Sequence, residues 1–165
     1  MKNSILRLMP LTLALGLASL VLPTGLALSS DTPENVGPGL VLPRMDSELG
    51  RELFASKGCA VCHSVNGIGG EDATPLDAKY MDIPMNPFEF AARMWRGAEA
   101  MVYMQREELG DVIVLNGNEL AAIIAFVHDA EEQAKYSEAD WPDEISDLIS
   151  GAHAEAEGPD AHPAD

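Results

Sequence analysis

The chain has 165 residues, with 27 Asp and Glu against 10 Lys and Arg, a formal charge of −17. That balance argues against nucleic acid and anionic lipid as partners and favours proteins with basic faces, an attraction strongest at low salt. The length allows one small domain.

Residues 1–27 read as a secretory signal peptide. Lys2 and Arg7 form a basic start, Leu8 to Leu22 is apolar and uncharged, and Pro23, Thr24 and Gly25 break the run. Small residues at Gly25 and Ala27, or at Ala27 and Ser29, suit cleavage. The run is short for a membrane span and contains Pro10, which disfavours a retained anchor. Loss of the leader removes Lys2 and Arg7 and no acid, leaving 8 basic residues (10 − 2) against 27 acidic ones, a charge of −19.

Residues 28–45 are rich in Pro, Gly and Ser and read as a linker. A helix is expected from Asp46 or Ser47 to about Lys57, with Leu49, Leu53 and Phe54 as its apolar stripe and Gly58 as its stop. Residues 64–85 carry glycines and prolines without a sustained period and read as loop. Asn86 is a good N-cap, Pro87 suits the first helical position and Glu89 can close a capping box, so a second helix is expected from Asn86 to near Gly97. Met101–Val114 has no clear assignment. Asn116 and Glu119 open a third helix, with Leu120, Ile123, Ile124 and Val127 as its apolar face, reaching about Lys135. A short helix is expected over Trp141–Ile149, and residues 151–165 read as a disordered acidic tail.

The chemistry concentrates at residues 59–63, Cys59-Ala60-Val61-Cys62-His63, which hold both cysteines of the chain. A disulfide across two intervening residues closes too small a loop to stabilise the fold. A redox dithiol normally opens a helix after a strand, whereas a helix and Gly58 precede this one. Structural zinc needs four ligands. The remaining histidines are His153 and His162 in the tail and His128, expected at the surface of a helix end. C-x-x-C-H is the attachment signature of c-type haem, with two thiols joined to the porphyrin edge and the adjoining imidazole an axial ligand. Attachment of this kind occurs outside the cytoplasm, in keeping with the leader. For a sixth ligand the sequence offers Met81, Met85, Met94, Met101 and Met104. Met94 should pack inside a helix; Met101 and Met104 follow Gly97 on a segment expected to fold over the haem face.

Over residues 46–132 the chain resembles the class I c-type cytochromes, monohaem proteins of the bacterial periplasm. Gly50, Leu53 and Phe54 match the G-x-x-L-F pattern before the haem motif. Residues 94–101, MWRGAEAM, resemble a family stretch M-W-N-H-A-P-x-M, and Asn116–Val127 resembles the final helix. The resemblance implies an all-α, cytochrome c-like fold of three main helices plus shorter ones around one covalent haem. The expected domain spans 46–136, followed by a short helix over 137–150.

The resemblance further implies haem c bound through Cys59 and Cys62, with iron held by His63 and Met101. Met104 remains an alternative, because Arg96-Gly97 and Glu99 replace the family's Asn-His and Pro. Pro75 matches a proline whose carbonyl accepts the axial His N–H, a bond that orients the imidazole. Gly50 should permit close approach of the first and last helices, with Phe54 against Phe126. Trp95, Arg93 and Arg96 stand as candidates near the haem propionates. The implied function is periplasmic single-electron transfer without an enzymatic step. The alternatives are a haem subunit of a larger respiratory or dehydrogenase complex, docking through Trp141–Ile149 and the tail, and a small haem enzyme with an open sixth position.

Overall fold

In a computed structural model of the protein, residues 34–156 are described, and side chains over 37–151. The expected leader and the last nine positions lie outside them. Among the described residues the architecture is helical, with two small antiparallel hairpins.

Glu34–Gly37 (β1) pairs with Leu40–Leu42 (β2), so part of the expected linker is a hairpin, turning through Pro38-Gly39. Ser47–Ser56 (α1) is capped by Asp46, which accepts from the Leu49 N–H. Its buried face is Gly50, Phe54 and Ala55, whereas Leu49 is exposed, which corrects the expected stripe by a small rotation. Gly58 takes the left-handed conformation at φ +83°, which ends α1 and starts the single turn Cys59–Cys62 (α2). The expected loop that follows contains a hairpin, Ser64–Val65 (β3) with Ile68–Gly69 (β4), around an Asn66-Gly67 turn with positive φ at both residues. Asn-Gly is the strongest short hairpin signal in sequence.

Pro87–Arg96 (α3) begins where expected, with the Asn86 side chain accepting from the Phe88 N–H. Glu89 does not close a capping box there; its carboxylate faces Arg93 and Arg96 instead. Met94 packs on the core as expected. The stretch left unassigned is a helix, Ala98–Glu108 (α4), composed of Ala, Glu, Met, Gln and Arg, all strong helix formers, together with Val and Tyr. Gly117–His128 (α5) has the full Asn116–Glu119 capping box. It stops seven residues short of Lys135, because Asp129 turns its carboxylate onto the N–H groups of Glu131 and Glu132 and caps a new turn, Ala130–Gln133 (α6). Asp143–Ala156 (α7) is longer than expected and runs into the segment read as a disordered tail.

The core is one cluster. Phe54, Phe126 and Tyr136 form an aromatic triad with ring centroids 5.5–5.7 Å apart, each pair worth about 0.5–1.5 kcal/mol beyond its buried area. Val61, Val65, Ile123, Ile124 and Val127 belong to the same cluster, as do Ile145 and Ile149 of α7. The close crossing of α1 and α5 is as expected: a Cβ on Gly50 would stand 2.0 Å from the Ala122 carbonyl oxygen. His128 is not a surface residue. It is half-buried, with Nδ1 donating to the Ile124 carbonyl at 2.7 Å and its ring edge against Phe90.

Candidate functional site

The Cys59–His63 turn sits between the core and a loop that wraps its far side. Helix α1 delivers it through Gly58, against which Leu109 at the end of α4 and Ile145 of α7 pack. The loop approaches so closely that a Cβ on Gly70 would lie 1.8 Å from the Val61 oxygen, and one on Gly69 2.4 Å from the His63 oxygen. Only glycine fits there. Backbone bonds then fasten the loop to the turn: Gly70 N–H to Ala60 (2.8 Å), Ala73 N–H to Cys62 (2.9 Å) and Leu76 N–H to Ser64 (2.8 Å).

Both cysteines are free thiols on one helical turn. Desolvation pushes the Cys59 thiol up to about 12. Cys62 is also raised, by desolvation first and then by the charges of Asp72 and Glu108. Thiols held neutral are poor redox nucleophiles, which counts against the dithiol reading.

His63 Nδ1 lies 2.8 Å from the carbonyl oxygen of Thr74. A carbonyl only accepts, so Nδ1 carries a proton, which in the neutral imidazole leaves Nε2 as the nitrogen with a lone pair for a metal. That is the state a metal-ligating imidazole needs. The acceptor expected from resemblance was Pro75; the structure uses Thr74, one residue earlier. The loop is pinned at Ala73 and Leu76, and of the carbonyls between those anchors it is Thr74's that meets the ring. Pro75 itself is exposed.

The other candidates are spread more widely. Met101 and Met104 are half-buried on α4, not on a free loop, and neither belongs to the set packed on the core, whereas Met81, Met85 and Met94 do. Trp95 is 82% exposed at the end of α3. Arg96 faces Glu89 at 3.3 Å, and Arg93 pairs with Asp82 at 2.6 Å. Among the described residues, no group of three or more His, Cys, Asp and Glu side chains could hold a metal ion.

Two thiols on one turn, beside an imidazole with its distal nitrogen free, fit a covalently held haem in donor type and spacing. The family model described as cytochrome c matches residues 47–131, just over half of the chain. The chain therefore belongs to the cytochrome c family. It is a haem-binding electron-transfer protein with a covalently attached c-type haem. No match was found among curated proteins or among solved structures.

Proposed function

We propose that this is a class I monohaem cytochrome of a bacterial periplasm, in which His63 Nε2 and the Met101 thioether are the axial ligands of a single iron. The observation that carries the proposal is the His63–Thr74 contact beside two free thiols, because it readies one nitrogen for a metal. Bound haem supplies a centre that takes up and releases one electron. The chain supplies everything else. Cys59 and Cys62 would anchor the porphyrin edge. The Thr74 carbonyl holds the imidazole in one tautomer and raises its basicity, which stabilises the oxidised state. Val61, Val65 and the aromatic triad form a dry core against which Cys59 and Cys62 pack, and dryness is a lever on potential.

Met101 is favoured by its match to the family stretch, and Met104, three residues on along the same helical face, is the competing donor. The acidic chain favours a partner with a basic docking face. Reading residues 1–27 as an export leader supports the periplasmic location. The subunit alternative loses part of its motive, because α7 spends Ile145 and Ile149 on its own core.

The test is absorption spectroscopy of the haem-loaded protein beside Met101→Ala and Met104→Ala. We expect the far-red sulfur-to-iron band to vanish in Met101→Ala and persist in Met104→Ala. The reverse pattern moves the ligand to Met104, and a band unaffected by either change contradicts ligation by both.

A further inference from the structure

Gln133 lies two residues beyond the segment matched by the family, yet it is among the most deeply buried side chains, at 2% exposure. A glutamine in the core is costly unless both ends of its amide are satisfied. Here they are. Oε1 accepts from the Ala78 N–H at 2.8 Å, and Nε2 donates to the Leu76 carbonyl at 2.9 Å. The Gln133 backbone carbonyl also accepts from Asn66 Nδ2 at 3.3 Å, in the turn between β3 and β4. One residue thus grips the loop after the cysteine motif at three points.

That loop carries Thr74. Leu76, two residues on, is held from one side by the Ser64 carbonyl and from the other by Gln133. Gln133 is in turn fixed by α6. Its N–H bonds the Asp129 carbonyl at 2.9 Å, the Asp129 carboxylate caps the turn, and Ser47 of α1 donates to that carboxylate at 2.8 Å. The path runs from the first helix through Asp129 and Gln133 to the loop and the acceptor of His63.

We infer that Gln133 is a positioning residue for the axial histidine: it fixes the 76–78 segment so that the Thr74 carbonyl stays on His63 Nδ1. This rests on the reading of His63 as an iron ligand. Without the clamp the loop samples positions in which the Nδ1–H bond is broken. A less basic imidazole stabilises the oxidised iron less, and the potential rises.

The experiment uses the full, haem-loaded chain and two variants, Gln133→Met, which keeps the volume and removes both bonds, and Gln133→Glu, which can still accept from Ala78. In the wild type the Ala78 N–H, in a buried bond, should exchange with solvent as slowly as the α5 amides, and the His63 Nδ1–H, in a more exposed bond, should exchange faster than Ala78. In Gln133→Met both should exchange about ten-fold faster, as expected for the loss of two buried hydrogen bonds, and the midpoint potential should rise. Gln133→Glu should fall between. Stability lowered with the Nδ1–H exchange and potential unchanged would make Gln133 merely a core residue and overturn the inference. Should Gln133→Met fail to fold, fast exchange of Ala78 in the wild type overturns it equally. Failure of the ligand reading looks different: the wild type itself then shows no histidine-ligated haem.

Discussion

The crossing of α1 over α5 makes a prediction whose sign separates two forces. In Gly50→Ala the new methyl stands 2.0 Å from the Ala122 oxygen, 2.6 Å from the Ala122 carbonyl carbon and 2.8 Å from the Phe126 Cβ. Ordinary contact begins at 3.4 Å, so the helices must part by about 1.4 Å, against backbone that cannot swing aside. A gap of 0.5–1 Å already forfeits roughly a quarter to a half of each dispersion contact, and the Phe54–Phe126 pair sits beside the crossing. Overpacking of this kind costs about 1–3 kcal/mol and occasionally more, and a backbone clash belongs at the upper end. Helix propensity works the other way by about 1 kcal/mol. The net expectation is a loss of about 2 kcal/mol, or roughly 10 °C in melting temperature for a domain of this size. Gly151→Ala, also inside a helix but with nothing within 4 Å of the new methyl, should gain about 0.5–1 kcal/mol. Thermal unfolding of the haem-loaded proteins followed by circular dichroism gives both values. A Gly50→Ala protein as stable as wild type, or more so, refutes the reasoning.

Two further predictions concern charge. Arg51 bridges Glu132 and Asp140, all three at most 18% exposed in their side chains. Arg51→Met leaves the two carboxylates facing each other and should cost about 3 kcal/mol, the lower end for a broken buried pair because Lys135 still neutralises Glu132; the deficit should shrink at mildly acid pH, measured by urea unfolding. Asp129 has its carboxyl held below the usual range, first by the Glu132 N–H and also by the Ser47 hydroxyl. A depressed carboxyl binds its proton less readily in the folded state. Its contribution is therefore complete above about pH 4 and is lost as pH falls from there through the folded value. Asp129→Asn, which keeps a capping oxygen, should flatten the fall in stability below about pH 4 at a cost of about 1 kcal/mol at neutral pH.

What the sequence displayed and what it concealed differ in physical kind. Asn86, Pro87, Asn116 and Gly58 act on their own neighbours, so α3, the start of α5 and the end of α1 were visible as local signals. The cysteine motif was visible for the same reason, since covalent chemistry demands a fixed spacing. The break at Asp129 also had a signal, Asp129 three residues before Glu132, but it lay inside a run of good helix formers that masked it. Helix α4 has little apolar periodicity and buries only Gln105, so no stripe announced it. Gln133 was beyond sequence reasoning: a glutamine among Glu, Ala and Lys reads as surface, and only the loop returning from 66–78 makes it interior. The shift from Pro75 to Thr74 as acceptor is likewise decided by how the returning loop is fastened, Ala73 to Cys62 and Leu76 to Ser64.

Intact-mass and haem-absorption measurements on protein purified from a host that attaches haem bear most directly on the central claim, that Cys59 and Cys62 hold one porphyrin with His63 beneath it. The account predicts the mass of the chain plus one haem, not extractable by acid and organic solvent, and its complete loss in the Cys59→Ser, Cys62→Ser double variant. A bare polypeptide with both thiols free or joined to each other, or a haem that washes out of the wild type, would contradict it.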